Sequence, residues 1–249
     1  MKNQENVIGM VLSAMPIGEY DRRLVILTKE RGRISAFAKG ARRPNSTLMA
    51  CSQPFAFGQF QLYVGRNAYT VNGAEIQNYF QELRQDLEAV YYGMYFCEFA
   101  AYLTRENVES TGILKLLYQS LRALGKKNIP NQLIRYIFEI KILCFNGEAP
   151  QVFECLSCKE KEGLIYFNSH KGGMLCGKCK LPGSIKLDEA ALYTLQYIVS
   201  SSVEKLYTFL VKDTVLQQLQ QVTESYSKTY VQTEMKTLEM LEFFVETKI

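Results

Sequence analysis

Four cysteines, Cys155-x2-Cys158 and Cys176-x2-Cys179, stand in two pairs separated by 17 residues. Two residues between paired thiols let both sulfurs of a turn face one ion, and a loop of this length returns the second pair to complete a tetrahedron. Four soft ligands favour Zn²⁺ in a closed shell without a coordination position for water, so the expected site is structural. The same sulfurs also suit iron, and a CxxC pair also serves as a redox dithiol; the paired spacing favours zinc. Gly163, Gly172, Gly173 and Gly177, with flanking lysines, are expected in tight turns whose amides screen the sulfurs. Metal binding, at roughly 10–16 kcal/mol for such sites, should order residues 150–183 outright. A catalytic zinc is disfavoured, because the single histidine, His170, has no HxE or HExxH context. It is expected on the surface or behind the ligands. Cys51, Cys97 and Cys144 sit in apolar surroundings and read as buried thiols.

A run of cations is the second chemical feature. Arg22, Arg23, Lys29, Arg31, Arg33, Lys39, Arg42 and Arg43 face a single acid, Glu30, a balance of +7 in 22 residues. If Arg33 to Lys39 is a strand, its pleat sends Arg33, Ser35, Phe37 and Lys39 to one face and Ile34, Ala36 and Ala38 to the other. The small apolar set suits a barrel interior. The other face then offers cation, hydroxyl, ring and cation in order, and Gly40-Ala41-Arg42-Arg43 carries the charge into a loop. Phosphates seek Lys and Arg, and unpaired bases stack on rings, so this combination fits single-stranded nucleic acid. Phe55, Phe57, Phe60, Tyr63 and Tyr69 add rings nearby, each with a competing place in the core. Nothing in the run is a base-reading code.

The elements that must position these residues change character along the chain. Val7–Leu12, Leu24–Thr28, Arg33–Lys39, Phe55–Val64 and Ala68–Ile76 are five β-rich runs with glycine-containing turns, Gly65-Arg66-Asn67 among them. They suit a small closed barrel, OB-like before SH3-like. After Phe80 the apolar period becomes helical, with helices expected over Leu83–Tyr102, Ile113–Leu124 and Leu133–Phe145. The last of these is apolar around most of its circumference and should be a buried central helix. Beyond the cysteine segment, Asp188 reads as an N-cap, and further helices are expected over Asp213–Tyr230 and Glu234–Val245. The fold class is therefore α+β and multidomain. An OB-like barrel (1–80) precedes an all-α domain (81–150 and 184–249) into which a four-cysteine zinc knuckle (151–183) is inserted.

Charge is distributed accordingly. The 249 residues carry a net +4, but residues 1–80 hold ten Lys/Arg against five Asp/Glu, and the rest hold 19 against 20. Four thiolates around Zn²⁺ would lower the total to +2. Pro44–Gly65, the longest uncharged stretch, contains prolines, glycines and amides unsuited to a membrane helix. Val7–Met15 lacks the flanks of an export signal and reads as a strand. Seven cysteines without such a signal point to a reducing cytoplasm. GxSxG, a complete P-loop and an acidic nuclease cluster are all missing, so no enzymatic activity is expected.

These residues resemble the bacterial DNA repair and recombination mediator family RecO. Gly18-Glu19-Tyr20-Asp21, Gly32-Arg33-Ile34-Ser35, Ala38-Lys39-Gly40-Ala41-Arg42-Arg43 and Gln53-Pro54-Phe55 look like its N-terminal barrel, and the inserted CxxC pairs look like its zinc module. The resemblance covers essentially the whole chain. It implies an OB fold, a helical domain and a structural Zn²⁺ on Cys155, Cys158, Cys176 and Cys179. It also implies binding of single- and double-stranded DNA, strand annealing and indirect help to RecA on strands coated by single-stranded DNA-binding protein (SSB). RecR and the SSB C-terminal tail are the implied protein partners, in a cytoplasmic, nucleoid-associated setting. By matching position, Arg33, Lys39, Arg42 and Arg43 become the DNA-contact residues, to which the strand alternation adds Phe37; no motif places the tail-binding pocket. The competing reading is an RNA-binding or ribosome-associated zinc protein with an OB barrel.

Overall fold

The computed structural model describes residues 4–65 and 68–247; Arg66 and Asn67 of the turn named above lie outside them. Strands β1 (Gln4–Ile17), β2 (Asp21–Thr28), β3 (Gly32–Ala38), β4 (Phe57–Val64) and β5 (Tyr69–Asn78) close into a barrel in the order β1-β2-β3-β5-β4. β1 is long enough to pair with both β2 and β4, and its register shifts between Val11 and Ser13. Closure is completed by a short parallel pairing of Ala36 with Tyr69 and Phe37 with Thr70. Alternation decides what fills the interior. Leu24, Ile26, Ile34, Ala36 and Ala38 are buried there with Val7, Val11, Phe60, Leu62 and Val71. The single-turn helix α1 (Leu48–Cys51) adds Leu48 and Cys51 to the same core.

On the opposite pleat face Met10, Leu12 and Leu27 are also buried. Helices α3 (Leu87–Leu103) and α4 (Thr111–Lys126) pack against β1 and β2 on that side, after the short α2 (Gln81–Arg84). Asp86 starts α3 by accepting the Glu88 and Ala89 amides at 3.0 and 3.3 Å. The C-terminal α8 (Lys236–Glu246) packs on α3, and its Thr237 amide donates to the Glu98 carboxylate at 2.9 Å.

Contacts divide the chain into two units, residues 1–126 with 235–249 and residues 127–234. The helices expected as one domain over 81–150 and 184–249 are thus shared between them. In the second unit, α5 (Asn131–Phe145) is buried at every position from Leu133 to Leu143. Its three central charges fall among these buried positions and are internally satisfied. Arg135 pairs with Glu139 at 2.6 Å, and Ser227 donates to Glu139 at 3.2 Å. Lys141 donates to the carbonyls of Ile198, Val199 and Ser201 at 3.2, 2.8 and 2.8 Å. Those carbonyls end α6 (Glu189–Ser200), which Asp188 caps by accepting the Ala191 amide at 2.7 Å. A sheet of β6 (Leu164–Asn168), β7 (Gly173–Cys176) and β8 (Ile185–Lys186) runs in the order β7-β6-β8, and α7 (Asp213–Tyr230) completes the unit. No helix of the described residues is long and apolar enough to cross a membrane.

Candidate metal centre and nucleic-acid face

The cysteine pairs converge. Cys155 and Cys158 lie on a tight loop in which the Cys155 amide donates to Glu160 and the Lys159 amide returns to Cys155, at 2.8 and 3.0 Å. Leu156 ties this loop to β7 through Met174 at 2.9 Å, while Cys176 ends β7 and Gly177–Cys179 form a single 3-10 turn. All four Sγ atoms lie within 4.8 Å of one another, with Cys158 and Cys176 3.6 Å apart. Four sulfurs at about 2.3 Å from one ion stand about 3.8 Å apart, so the cluster has the dimensions of a tetrahedral thiolate site. Burial works to raise the Cys155 thiol, but the amides of Cys158, Cys176 and Ser157 outweigh it and hold the group at about 6. Beside Cys158 and Cys176 the Cys179 thiol is instead pushed up to about 12. Four thiolates are not compatible at neutral pH without a cation among them, which is the donor chemistry a metal ion satisfies.

The glycines follow expectation only in part. Gly163 and Gly172 take positive φ in turns, but Gly173 lies in β7, where a Cβ would stand 2.2 Å from the Gln151 carbonyl. Its lack of a side chain permits the Gln151–Gly173 bridge that anchors the first knuckle loop. The amides that reach Cys155 belong to Ser157, Cys158 and Cys176, not to the glycines. His170 is exposed in the β6–β7 turn and is not part of the cluster. Cys51 and Cys97 are buried and burial raises both thiols; Cys144 is half-buried and pushed up to about 11, chiefly by burial.

On the barrel, β3 alternates as its sequence dictates. Ile34, Ala36 and Ala38 are buried, while Arg33, Ser35 and Phe37 are half-exposed and Lys39, Arg42 and Arg43 are exposed. Gly40, at φ +66°, turns the chain and donates its amide to Asp21 at 2.6 Å. Arg42 then donates its amide to the Tyr20 carbonyl at 2.8 Å, and the Arg43 guanidinium lies 5.2 Å from the Tyr20 ring centroid. Other cations of the run have inward duties. Arg22 donates to the Ser52 hydroxyl at 2.7 Å and the Met49 carbonyl at 3.0 Å, and Arg31 pairs with Glu5 at 2.6 Å.

The rings divide likewise. Phe55, Phe60 and Tyr69 are core residues, and Phe57 packs on Tyr118 with centroids 4.7 Å apart. Tyr63 is 47% exposed and remains available for stacking, as does Tyr20 at 38%. Tyr20 has no place in the cation run by spacing alone; the antiparallel registers of β1–β2 and β2–β3 bring its turn beside Gly40–Arg43. A cavity of about 560 Å³ in the same unit is lined by Leu12, Phe55, Val90 and Met94, with Arg84, Lys236 and Glu98 as its charged residues. No sequence motif marks it, because its walls come from β1, the segment before β4 and three separate helices.

Known proteins with similar sequences agree in name. Residues 1–80 match the family described as Recombination protein O N terminal, and residues 84–239 match Recombination protein O C terminal. A protein named DNA repair protein RecO from Acetivibrio thermocellus is 37% identical over 224 residues, covering 88% of this chain and 89% of the relative. A protein of the same name from Alkaliphilus metalliredigens is 33% identical over 221 residues, covering 88% and 90%. Another from Bacillus pumilus is 31% identical over 224 residues, covering 89% and 87%.

Proposed function

The chain belongs to the RecO family, which gives it a role in DNA repair, and from that premise we propose that it is a non-enzymatic mediator that binds DNA on the outer face of β3 and anneals complementary strands. The observation that carries this reading is the alternation of β3, which buries Ile34, Ala36 and Ala38 and turns Arg33, Ser35 and Phe37 outward beside Lys39, Arg42 and Arg43. Phosphate neutralisation lowers the repulsion between strands, and stacking on Phe37 leaves base edges free to pair. The five-strand order with its parallel β3–β5 closure suits an OB-like role for the barrel. Double-stranded DNA meets the same cations through its backbone.

The four cysteines hold Zn²⁺ as a structural ion, because a closed thiolate shell leaves no position for substrate. RecR and SSB are the protein partners of this reading. The acidic SSB tail finds an apolar wall and two cations, Arg84 and Lys236, in the cavity where Glu98 is already engaged by Thr237, and release of strands from SSB there assists RecA loading. These are events of the cytoplasm, at the nucleoid.

Fluorescence-monitored annealing of two SSB-coated complementary oligonucleotides tests the whole reading. Annealing should accelerate with this protein and lose that acceleration when Lys39, Arg42 and Arg43 are replaced together by Ala. If about five phosphates are neutralised, the log–log salt slope for single strands should be about −3.5. A slope near zero, or a large preference for structured RNA over single-stranded DNA, would overturn it.

A further inference from the structure

A cavity of about 270 Å³ opens on the barrel beside β2 and β3, walled by Arg23, Arg33, Ser35, Arg105 and Glu106. Three arginines and one glutamate therefore border one concavity. Arg23 Nε donates to the Ser35 hydroxyl at 3.1 Å, which fixes its head over β3. The third guanidinium comes from the segment after α3, far from the cation run in sequence. That segment is seated firmly on the β2–β3 turn. The Arg33 amide donates to the Arg105 carbonyl at 3.2 Å, and the Asn107 amide donates to Arg31 at 2.8 Å. Gly32, at φ +64°, permits the approach, since a Cβ there would stand 2.1 Å from the Arg105 carbonyl. Glu106 is turned towards Tyr69, whose hydroxyl donates to it at 2.9 Å. Neither Arg33 nor Arg105 has an ion-pair partner among the described residues.

We propose that this pocket binds a backbone phosphate of the nucleic acid strand, with Arg105 as a contact residue outside the cation run. The inference rests on the DNA-binding role proposed for β3 and extends it. Arg33 and Lys39 are six residues apart on an extended strand, a span of about 20 Å. A single strand lying along β3 would therefore place one phosphate in the pocket, a base near Phe37, and further phosphates at Lys39 and the Arg42–Arg43 loop. Forked guanidinium donors on a preformed loop suit a phosphodiester better than a lysine point charge would.

Titration of a labelled oligothymidylate strand against the full-length protein over a salt series is the test, with R105Q and E106Q as variants. Both native side chains are exposed. R105Q keeps the Arg105 carbonyl that seats the loop, and the amide oxygen introduced by E106Q still accepts from Tyr69. R105Q should flatten the log–log salt slope by about 0.7, the weight of one single-strand phosphate contact, and weaken binding about tenfold at low salt. E106Q should act oppositely, tightening binding about threefold by removing the like-charged neighbour of the phosphate. Wild-type affinity and slope in R105Q, or no gain in E106Q, would overturn the pocket while leaving the β3 face intact. A wild-type slope near zero would overturn the β3 reading itself, so the two failures are distinguishable.

Discussion

At the scale of single residues, neighbours reached through the fold decide which cations and rings are available to a ligand. Arg22 and Arg23 are adjacent, yet one is held by Ser52 and Met49 while the other stands over Ser35 at the rim of the phosphate pocket. Arg22→Ala should therefore loosen the Met49–Gln53 segment, and Arg23→Ala should weaken DNA binding without changing melting behaviour. Tyr20 makes a sharper case. Its ring has Arg43 on one side and is otherwise substantially open, so a base can stack on it. Tyr20→Ala should cost about 1–3 kcal/mol of single-strand affinity, and Tyr20→Phe should be close to neutral, as fluorescence anisotropy would show. An equal loss for Phe would point to the hydroxyl instead. The sequence marks the β3 residues because a strand's two-residue period sorts them onto faces by itself. It cannot mark Tyr20 or Arg105, since register and a loop docked from another helix bring them to the face.

At the scale of elements, local rules account for more. The apolar residues around most of the circumference of α5 predict a central helix, and Asp188 before Ala190–Leu192 predicts the start of α6. Asp188→Ala should cost about 1 kcal/mol, read as faster amide exchange in the first turn of α6. The Ala191 amide, with help from Gln218, holds the Asp188 carboxyl below its usual value. Its stabilising contribution is therefore complete above about pH 4 and is lost as pH falls through the depressed value, so wild type and variant should converge in acid. A gap that persisted at low pH would mean the side chain acts by packing. What stays hidden in the sequence is the far end of the same helix. Lys141, 57 residues away from Ile198, supplies the three bonds that finish α6, and burial lowers its pKa. Lys141→Met should destabilise the second unit by about 2 kcal/mol, because those carbonyls lose a charged donor. A variant as stable as wild type in denaturant titration would contradict that role.

For the molecule as a whole, the division into two units makes the influence of the proposed zinc ion a local quantity. The knuckle is built into the second unit at several points. Phe167 of β6 packs edge-on against Tyr226 of α7 at 5.5 Å, Ser169 bonds Ser225 at 2.7 Å, and Gln196 of α6 donates to the Val152 carbonyl at 2.8 Å. Each of these contacts ties the cysteine-bearing segment to α6 or α7. Stripping the proposed ion from the full chain with a strong chelator should loosen these ties, since the free energy of binding at such a site is also folding free energy. Amide exchange should accelerate over residues 151–187 and in α6 and α7, while the barrel strands and α3, which pack within the first unit, keep their protection. Cys176→Ser should give the same pattern without chelator, because that residue is buried at the end of β7 with its amide on Cys155. Single-stranded DNA affinity should change less than about twofold, as the proposed contacts all lie on the first unit. If the barrel lost protection as well, stability would be shared across the units; if DNA affinity fell while the barrel stayed protected, the knuckle would belong to the nucleic-acid surface.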